Sequence, residues 1–306
     1  MATINKFFKH TFLGITGIVS SLLFISKYKN KPKRLQIPPF FSKPAPYFFA
    51  HIGGNHHVPG NTKLAFHHAN KHKVDGFDII LRITKDHHFI VFNDIDLDAS
   101  TNGSGKVSEH TLAELQTLDA GYHYVDINGN KPFVGHPDAK LQTLEELLQA
   151  FPDKRFIIHI KDNENDPEGL PVPELLLDII KKYQAEYRVL VTSEHVKQLE
   201  RFKVISEGHI ALGASQGEIL EAFVKYRFGA SNLFEARSHA FQMPIEIQGI
   251  KITSPKFIYW LIERNIVPGF IHINNLDLID DLIVLGVHTI ITDRPDLVDR
   301  YKQSNY

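Results

Sequence analysis

The stretch DGFDIILRITKD, residues 75–86, carries the pattern that decides the fold. Side chains along an extended strand alternate between its two faces. Asp78, Ile80 and Arg82 therefore share one face, whereas Ile79, Leu81 and Ile83 make the opposite face apolar. Such a strand fits a barrel in which helices cover the apolar outer face and a few polar side chains point inward. We predict a strand at Phe77–Ile83.

Short β-branched runs alternate with amphipathic segments along the rest of the chain, which indicates parallel strands separated by helices. The predicted strands are Tyr47–His51, Phe77–Ile83, Phe89–Asn93, Arg155–Lys161, Arg188–Thr192, His209–Gly213, Pro268–Asn274 and Thr289–Thr292, with a ninth inside 241–252. The predicted helices are Asn61–Lys71, Thr143–Phe151, Pro173–Ala185, Gln216–Lys225, Pro255–Asn265 and Asp277–Leu285.

This alternation predicts an α/β fold, a (β/α)8 TIM-type barrel over residues 47–300. A doubly wound open sheet is the alternative. Nine candidates for eight barrel strands mean that one is wrong or peripheral. Phe77–Ile83 and Phe89–Asn93 are too close together to hold a helix between them.

The N-terminal segment differs in composition from the rest of the chain. Residues 11–26 carry no charge, and basic residues flank them on both sides. We predict an N-terminal hydrophobic helix that anchors the protein in a membrane within residues 1–34; a signal peptide and an interfacial helix are the alternatives. The larger positive cluster follows the apolar run, so the charge bias favours the cytoplasmic face for the main domain. Residues 35–46 hold four prolines and are predicted to form a stiff linker.

The composition excludes several functional classes. Lys and Arg number 34 and Asp and Glu number 35, which gives a formal net charge of −1. A dedicated nucleic-acid binder needs a basic face, so this class of partner is excluded. The chain has no cysteine, which excludes a disulfide framework, a thiolate zinc site and a cysteine nucleophile.

Polar residues occur where several predicted strands end, and active sites of such barrels lie at the carboxyl ends of the strands. A barrel without a functional site would be expected to have apolar layers at this end, so polar residues at the ends of several strands predict a functional site. Asp78 and Arg82 alone could be a structural pair. The side chains expected to point into the barrel are Asp78, Arg82, His159, Lys161, His272 and Asn274, and those at strand ends are His51, Asn93 and Asp94.

Eight motifs follow one another in order between residues 48 and 298. They are Phe49–Gly54, Pro59–Thr62, Asp75–Asp86, Ile90–Asp94, Thr101–Gly105, Ile158–Lys161, Ile271–Asn274 and Gly286–Pro295. Through these motifs the chain resembles the glycerophosphodiester phosphodiesterase family.

The resemblance implies a hydrolase that converts glycerophosphodiesters to glycerol 3-phosphate and an alcohol. It also implies a divalent cation, usually Ca²⁺ or Mg²⁺, held by three carboxylates, and two histidines that act as general acid and base. Such chemistry is reasonable because a phosphodiester anion needs charge neutralisation and proton transfer at two oxygens. The implied partners are a glycerophosphodiester or a lysophospholipid headgroup, with the membrane contacted through the N-terminal segment.

The sequence departs from the family pattern at several catalytic positions. His51 matches the first family histidine, but Asn93 stands at the second and cannot deliver a proton at neutral pH. Ile52 replaces a phosphate-binding arginine, and Gly60 replaces a glutamate. Losing a general acid costs about 10²–10⁴ in rate.

The positions of the three metal-binding carboxylates hold Asp78, Ile80 and His159. One carboxylate of three disfavours Ca²⁺ or Mg²⁺, which prefer oxygen ligands. A set of His51, Asp78 and His159 would suit Zn²⁺ or Mn²⁺ better. His272, where the family has threonine, is an alternative source of the missing acid.

These considerations define the predicted site and two functions. We predict catalytic roles for His51, Lys161 and Asn93, substrate binding by Asn274, His272 and Arg82, and metal binding by Asp78 and His159. The first function is hydrolysis of glycerophosphodiesters by an altered active site. The alternative is an inactive barrel that binds a phospholipid headgroup, a glycerophosphodiester or a protein partner. The pair Ile80 and Asn93 argues for the alternative.

Overall fold

In the computed structural model, which describes residues 34–247 and 249–305, parallel strands surround the centre of the protein and helices pack outside them. The strands are β1 (Tyr47–His51), β2 (Gly76–Ile83), β3 (Phe89–Val91), β4 (Arg155–Ile160), β5 (Val189–Ser193), β6 (Ala211–Leu212), β7 (Ala240–Met243), β8 (Glu246–Ile247), β9 (Ile250–Lys251), β10 (Val267–Phe270) and β11 (Thr289–Thr292). The helices are α1 (Lys63–Lys71), α2 (Leu112–Thr117), α3 (Leu144–Ala150), α4 (Val172–Lys182), α5 (Val196–Ile205), α6 (Gln216–Arg227), α7 (Pro255–Ile262), α8 (Leu276–Val284) and α9 (Asp296–Asn305).

The strands close into a barrel. Their order is β6-β5-β4-β2-β1-β11-β10-β7, and each neighbouring pair is parallel. A parallel bridge between Gly213 and Ala240 joins the two ends, with the N–H of Ala214 donating to the carbonyl of Ala240 at 2.8 Å. The (β/α)8 TIM-type barrel is therefore confirmed, and the doubly wound open sheet is not observed.

One predicted strand lies outside the ring. β3 pairs antiparallel with the end of β2, with Leu81 opposite Val91, so it is the peripheral member of the nine candidates. The loop between β2 and β3 is too short for a helix, and the chain therefore folds back as a hairpin. β8 and β9 form a separate antiparallel pair.

The strand β10 is shorter than the sequence predicts. It ends at Phe270, whereas the predicted strand continues to Asn274. His272 adopts φ of +57°, which lies in the left-handed region and cannot continue a strand. His272 and Asn274 consequently belong to the loop above the barrel.

The core has an inner and an outer part, as the alternation of strand side chains requires. The outer cluster lies between the strands and the helices and includes Phe48, Ile79 and Ile158. The inner cluster fills the amino-terminal half of the barrel and consists of Phe40, Phe41, Tyr47, Phe49, Ile157, Leu190, Ala211, Ala240, Val267 and Ile291.

Two inner residues come from the segment 35–46. Phe40 and Phe41 lie on a single 3-10 turn, Pro39–Phe41, and both are buried. The ring of Phe40 stacks on Phe49 with centroids 6.0 Å apart, and Nε of Arg155 donates to the carbonyl of Phe40 at 2.8 Å. This part of the segment therefore packs against the amino-terminal end of the barrel.

The predicted membrane-anchored localisation is contradicted. Within residues 34–247 and 249–305, none of the helices is both long enough and apolar enough to cross a bilayer. The apolar run at 11–26, on which the prediction depended, lies outside the described residues.

Candidate active site

Three neighbouring strands bring His51, Asp78 and His159 together at the carboxyl end of the barrel. Nδ1 of His51 lies 2.6 Å from Oδ2 of Asp78, and Nε2 of His159 lies 3.1 Å from Oδ1 of the same carboxylate. An ionised carboxylate only accepts hydrogen bonds, so each histidine donates one N–H to Asp78. This contact leaves Nε2 of His51 and Nδ1 of His159 as the ring nitrogens that can exchange a proton.

Burial and charge act in opposite directions on this group. Asp78 is 2% exposed, and burial favours a raised pKa, but the charge of His159 and the hydrogen bonds from both histidines lower the pKa of Asp78 well below 3.8. Burial favours a lowered pKa for His51, but the hydrogen bond to Asp78 and its charge raise the pKa of His51 above 6.5. An ionised Asp78 therefore holds a His51 that keeps its proton to higher pH than a free imidazole.

The loop after β1 fixes the position of His51. The N–H of Ile52 donates to the carbonyl of Asp78 at 2.7 Å. Ile52 has φ of +47°, a region disfavoured for β-branched residues, so the backbone next to His51 is strained. Gly53 follows at φ of +82°, and a Cβ there would lie 2.8 Å from Cβ of Ala65 in α1.

The residues at the three positions where the family resemblance implies metal ligands do not fit a hard divalent cation. Both carboxylate oxygens of Asp78 contact imidazole nitrogens. Ile80 lies between Asp78 and Arg82 on the inward face, is 7% exposed and offers no donor atom. Ca²⁺ takes about six to eight oxygen ligands and Mg²⁺ requires a nearly octahedral set, which Asp78, Ile80 and His159 do not supply.

The two predicted cations lie where β2 and β4 end. Nη1 of Arg82 donates to the carbonyl of Lys161 at 3.3 Å and lies 3.5 Å from Oδ1 of Asp162, while Nη2 donates to the carbonyl of Asn93 at 3.2 Å. Nζ of Lys161 pairs with the carboxylate of Glu194. Arg82 therefore ties three chain segments together, and both cations have protein partners.

Asn93 lies at the edge of the mouth of the barrel, which is the region where β2, β3 and β4 end. It follows β3 and is exposed, and its backbone carbonyl is the group that Arg82 contacts. A cavity of about 470 Å³ adjoins the same strand ends; its lining includes Arg82, Lys161, Asp162 and Glu194.

The loops after β10 and β11 contribute a second polar cluster. Nδ2 of Asn274 donates to Oδ2 of Asp293 at 2.7 Å, and Nδ1 of His272 lies 3.3 Å from the same oxygen. Burial favours a raised pKa for Asp293, but the hydrogen bonds from His272 and Asn274 lower it. The ring of His272 meets the ring of His51 edge-on, with centroids 4.8 Å apart.

The second cluster includes a set of metal-binding side chains. One donor atom from each of His51, His272 and Asp293 lies within 4.8 Å of the others, which makes this set able to hold a metal ion. This set and the predicted metal-binding set both contain His51. His272 and Asp293 stand in place of the predicted ligands Asp78 and His159.

All eight predicted site residues lie at one end of the barrel, in two groups. His51, Asp78 and His159 join His272 and Asn274, whereas Arg82, Lys161 and Asn93 meet at the ends of β2, β3 and β4. Asp293 is absent from the predicted site residues. Its position directly after β11, two residues beyond the inward-facing Ile291, is the signal that would have revealed it.

The sequence is similar to proteins of one known family. Residues 51–297 match the model of the glycerophosphoryl diester phosphodiesterase family. The chain is 30% identical over 252 residues to a glycerophosphodiester phosphodiesterase from Caldanaerobacter subterraneus subsp. tengcongensis, which covers 81% of this chain and 93% of the relative.

Solved structures share the fold. A glycerophosphoryl diester phosphodiesterase domain from Mycobacterium tuberculosis superimposes with a TM-score of 0.72 at 16% identity, covering 84% of this chain and 99% of that one. A phosphodiesterase from Oleispira antarctica, solved in complex with the product sn-glycerol-3-phosphate, gives a TM-score of 0.66 at 18% identity, covering 84% and 97% of the two chains.

Proposed function

This chain belongs to the glycerophosphoryl diester phosphodiesterase family, and on that premise we propose that it hydrolyses glycerophosphodiesters to sn-glycerol 3-phosphate and an alcohol. The observation that carries the proposal is the Asp78 carboxylate held between His51 and His159 at the carboxyl end of the barrel. The product-bound neighbour from Oleispira antarctica supports the same substrate class.

Two histidines oriented by one carboxylate suit the proton transfers of this reaction. A water oxygen attacks phosphorus, and the bond between phosphorus and the alcohol oxygen breaks. The attacking water must lose a proton and the leaving oxygen must gain one. In its neutral form, with Nε2–H donated to Asp78, His159 accepts the proton from water at Nδ1. Nε2 of His51, whose pKa is raised by Asp78, supplies the proton to the alcohol.

The ends of β2 and β4 supply the setting for the rest of the substrate. Lys161 and Arg82 lie at this end of the barrel, where Glu194 and Asp162 pair with them, so a phosphodiester anion would compete with these two carboxylates for the cations. The adjoining cavity of about 470 Å³ lies within the range of small-molecule sites and would accept the alcohol. Because Ca²⁺ and Mg²⁺ do not fit Asp78, Ile80 and His159, the chemistry of this site relies on its histidines.

A binding protein without turnover is the second candidate. Ile80 occupies an inward position where a carboxylate is implied by family resemblance, and Asn93 offers an amide where a histidine is implied. Both changes leave the cavity and its cations in place. Such a barrel would bind a glycerophosphodiester or a lysophospholipid headgroup without cleaving it.

Substitution of His51 tests the proposal. We expect His51→Ala to lower kcat/KM for glycerol 3-phosphate release by about 10²–10⁴, because the proton donor is lost. Release would be followed with a panel of glycerophosphodiesters and lysophospholipids. His209→Ala is the matched control, since His209 is exposed and precedes β6 at the opposite end of the barrel.

The same assay separates the two candidate functions. Folded wild-type protein that binds members of the panel but releases no glycerol 3-phosphate would contradict hydrolysis and support the binding protein. Equal rates for the wild type and His51→Ala would contradict the role given to His51.

A further inference from the structure

We infer that His51, His272 and Asp293 form a binding site for a divalent transition-metal ion of the Zn²⁺ class, and that the bound ion inhibits hydrolysis. The site itself follows from the geometry of the three side chains. Its inhibitory effect rests on the proposed function.

The donor types select the class of metal. Two imidazoles and one carboxylate are a common ligand set for Zn²⁺ and related transition metals, and they are a poor set for Ca²⁺ or Mg²⁺. A tetrahedral ion with bonds of about 2.1 Å has neighbouring ligand atoms about 3.4 Å apart. Nδ1 of His272 and Oδ2 of Asp293 are already 3.3 Å apart.

The two remaining ligand distances, from His51 to His272 and from His51 to Asp293, can close by small movements. All three donor atoms lie within 4.8 Å of one another, so each remaining distance exceeds the tetrahedral spacing by at most about 1.4 Å. The side chain of His272 is 54% exposed, and it can therefore move by this amount without displacing the core.

The groups behind the ligands are independent support for a metal site. Metal-binding histidines usually donate their second ring N–H to a carboxylate or carbonyl, and ligating carboxylates are themselves hydrogen-bonded. Nδ1 of His51 meets buried Asp78 at 2.6 Å, which leaves Nε2 for the ion. Asn274 donates to the Asp293 carboxylate at 2.7 Å and accepts from its backbone N–H at 2.9 Å. Two of the three ligands are thus already oriented.

Inhibition follows from the use of one nitrogen for two purposes. In the proposed reaction, Nε2 of His51 supplies a proton to the leaving alcohol. A metal ion bound at Nε2 occupies the lone pair that would carry this proton, so metal binding and proton transfer exclude one another. Zn²⁺ should therefore block turnover.

Metal titration of the full chain tests the site without relying on activity. Co²⁺, followed by its visible absorption, and Zn²⁺, followed by calorimetry, should each bind at one ion per chain. His272→Asn should weaken metal binding at least about tenfold, because loss of a ligand costs more affinity than loss of a hydrogen-bond partner behind a ligand. Asparagine tolerates the left-handed backbone at this position, so the variant keeps the loop conformation.

Two further variants complete the titration. Asp293→Asn should also weaken binding at least about tenfold, whereas the control His209→Ala should leave affinity unchanged. Absence of binding by the wild type, or unchanged affinity in both His272→Asn and Asp293→Asn, would overturn the site.

A second measurement tests inhibition. Zn²⁺ should inhibit wild-type glycerol 3-phosphate release, and the inhibitory concentration should rise at least about tenfold in His272→Asn, in parallel with the loss of affinity. Acceleration of hydrolysis by Zn²⁺ would overturn the inhibitory effect. If Co²⁺ binding depends on His272 while no hydrolysis is detected, the metal site is supported and the proposed hydrolysis is contradicted.

Discussion

At the scale of the residue, Asn93 places an amide at the mouth of the barrel, apart from the two histidines to which the proposed reaction assigns its proton transfers. Asn93 is exposed at the end of β3, where the family resemblance implies a histidine. We expect Asn93→His to raise kcat/KM for glycerol 3-phosphate release by about tenfold or more, because an added imidazole can transfer a proton. Asn93→Gln keeps an amide and serves as the matched control. A rate for Asn93→His no higher than that of Asn93→Gln would show that this position does not limit proton transfer.

A buried carboxyl group makes stability depend on pH. Burial, opposed by the charge of Arg82, raises the pKa of Asp162 from 3.8 to about 6. The folded protein therefore binds this proton more tightly than the unfolded chain, so the stabilisation is fully present below pH 3.8 and is lost as the pH rises through about 6. The difference between a pKa of 3.8 and one of about 6 corresponds to about 3 kcal/mol of unfolding free energy.

Asp162→Asn should remove this dependence. The amide oxygen can still accept the N–H of Ile83, which Asp162 binds at 2.9 Å. Relative to the wild type, the free energy of unfolding of Asp162→Asn should rise by up to about 3 kcal/mol between about pH 4 and about pH 7. Urea denaturation at both values would measure the change. A difference that stays constant with pH would refute the assignment.

Residue alternation predicts part of the site and misses the rest for a physical reason. His51, Asp78 and His159 meet because each lies on the inward face of a neighbouring strand, a consequence of period-two alternation. The partners of Lys161 and Arg82 are not predictable in this way. Glu194 lies beyond the end of β5, and Arg82 contacts backbone carbonyls of Lys161 and Asn93, which have no sequence signature.

At the scale of the element, the loop between β1 and α1 makes a close backbone contact with α1 near His51. Gly53 and Gly129 both have φ of +82°, but only at Gly53 would a Cβ meet other atoms within 4 Å. Gly129→Ala should cost about 1–2 kcal/mol of unfolding free energy from backbone strain alone. Gly53→Ala should cost a further 1–3 kcal/mol or so, because the methyl group would press on Ala65 in α1.

Thermal or urea unfolding of the two glycine variants would measure this contrast. Equal losses would mean that the contact with α1 relaxes freely. Because the loop positions His51 through Ile52, we also expect Gly53→Ala to lose activity and Gly129→Ala to retain it.

Elements with strong periodic signals are predicted well, and their ends are not. β2 keeps its alternation over the whole of Gly76–Ile83, and the predicted strand differs by one residue. The predicted end of β10 fails because His272 turns the chain at positive φ, and a histidine is compatible with either a strand or such a turn. Helix α5 is absent from the predicted helices, since its buried side is marked only by Gln198, Leu199 and Phe202.

At the scale of the whole molecule, the repeated alternation of strands and helices predicts the barrel, and composition alone does not predict how its amino-terminal end is filled. Phe40 is 1% exposed and stacks on Phe49 inside the barrel. The proline content of residues 35–46 predicts a stiff linker, because proline restricts the local backbone and carries no information about packing. The position of this turn depends on long-range contacts with Phe49 and Arg155.

Truncation of this phenylalanine tests its contribution to the fold. Phe40→Ala should lower the free energy of unfolding by about 3–5 kcal/mol, because a large buried ring is replaced by a cavity. Ile37→Ala is the matched control in the same segment; Ile37 is 54% exposed, so its loss should stay within about 0.5 kcal/mol. Urea denaturation gives both values, and similar losses for the two variants would argue against a stabilising role for Phe40.

The dependence of hydrolysis on added cations tests the central claim, that this barrel cleaves glycerophosphodiesters with histidines held by Asp78. Glycerol 3-phosphate release by the wild type would be measured in EDTA and with added Ca²⁺ or Mg²⁺. Because Asp78, Ile80 and His159 do not fit these cations, we expect turnover to persist in EDTA and to be unchanged by either ion. Absence of turnover in all conditions, or turnover that appears only with Ca²⁺ or Mg²⁺, would contradict the account.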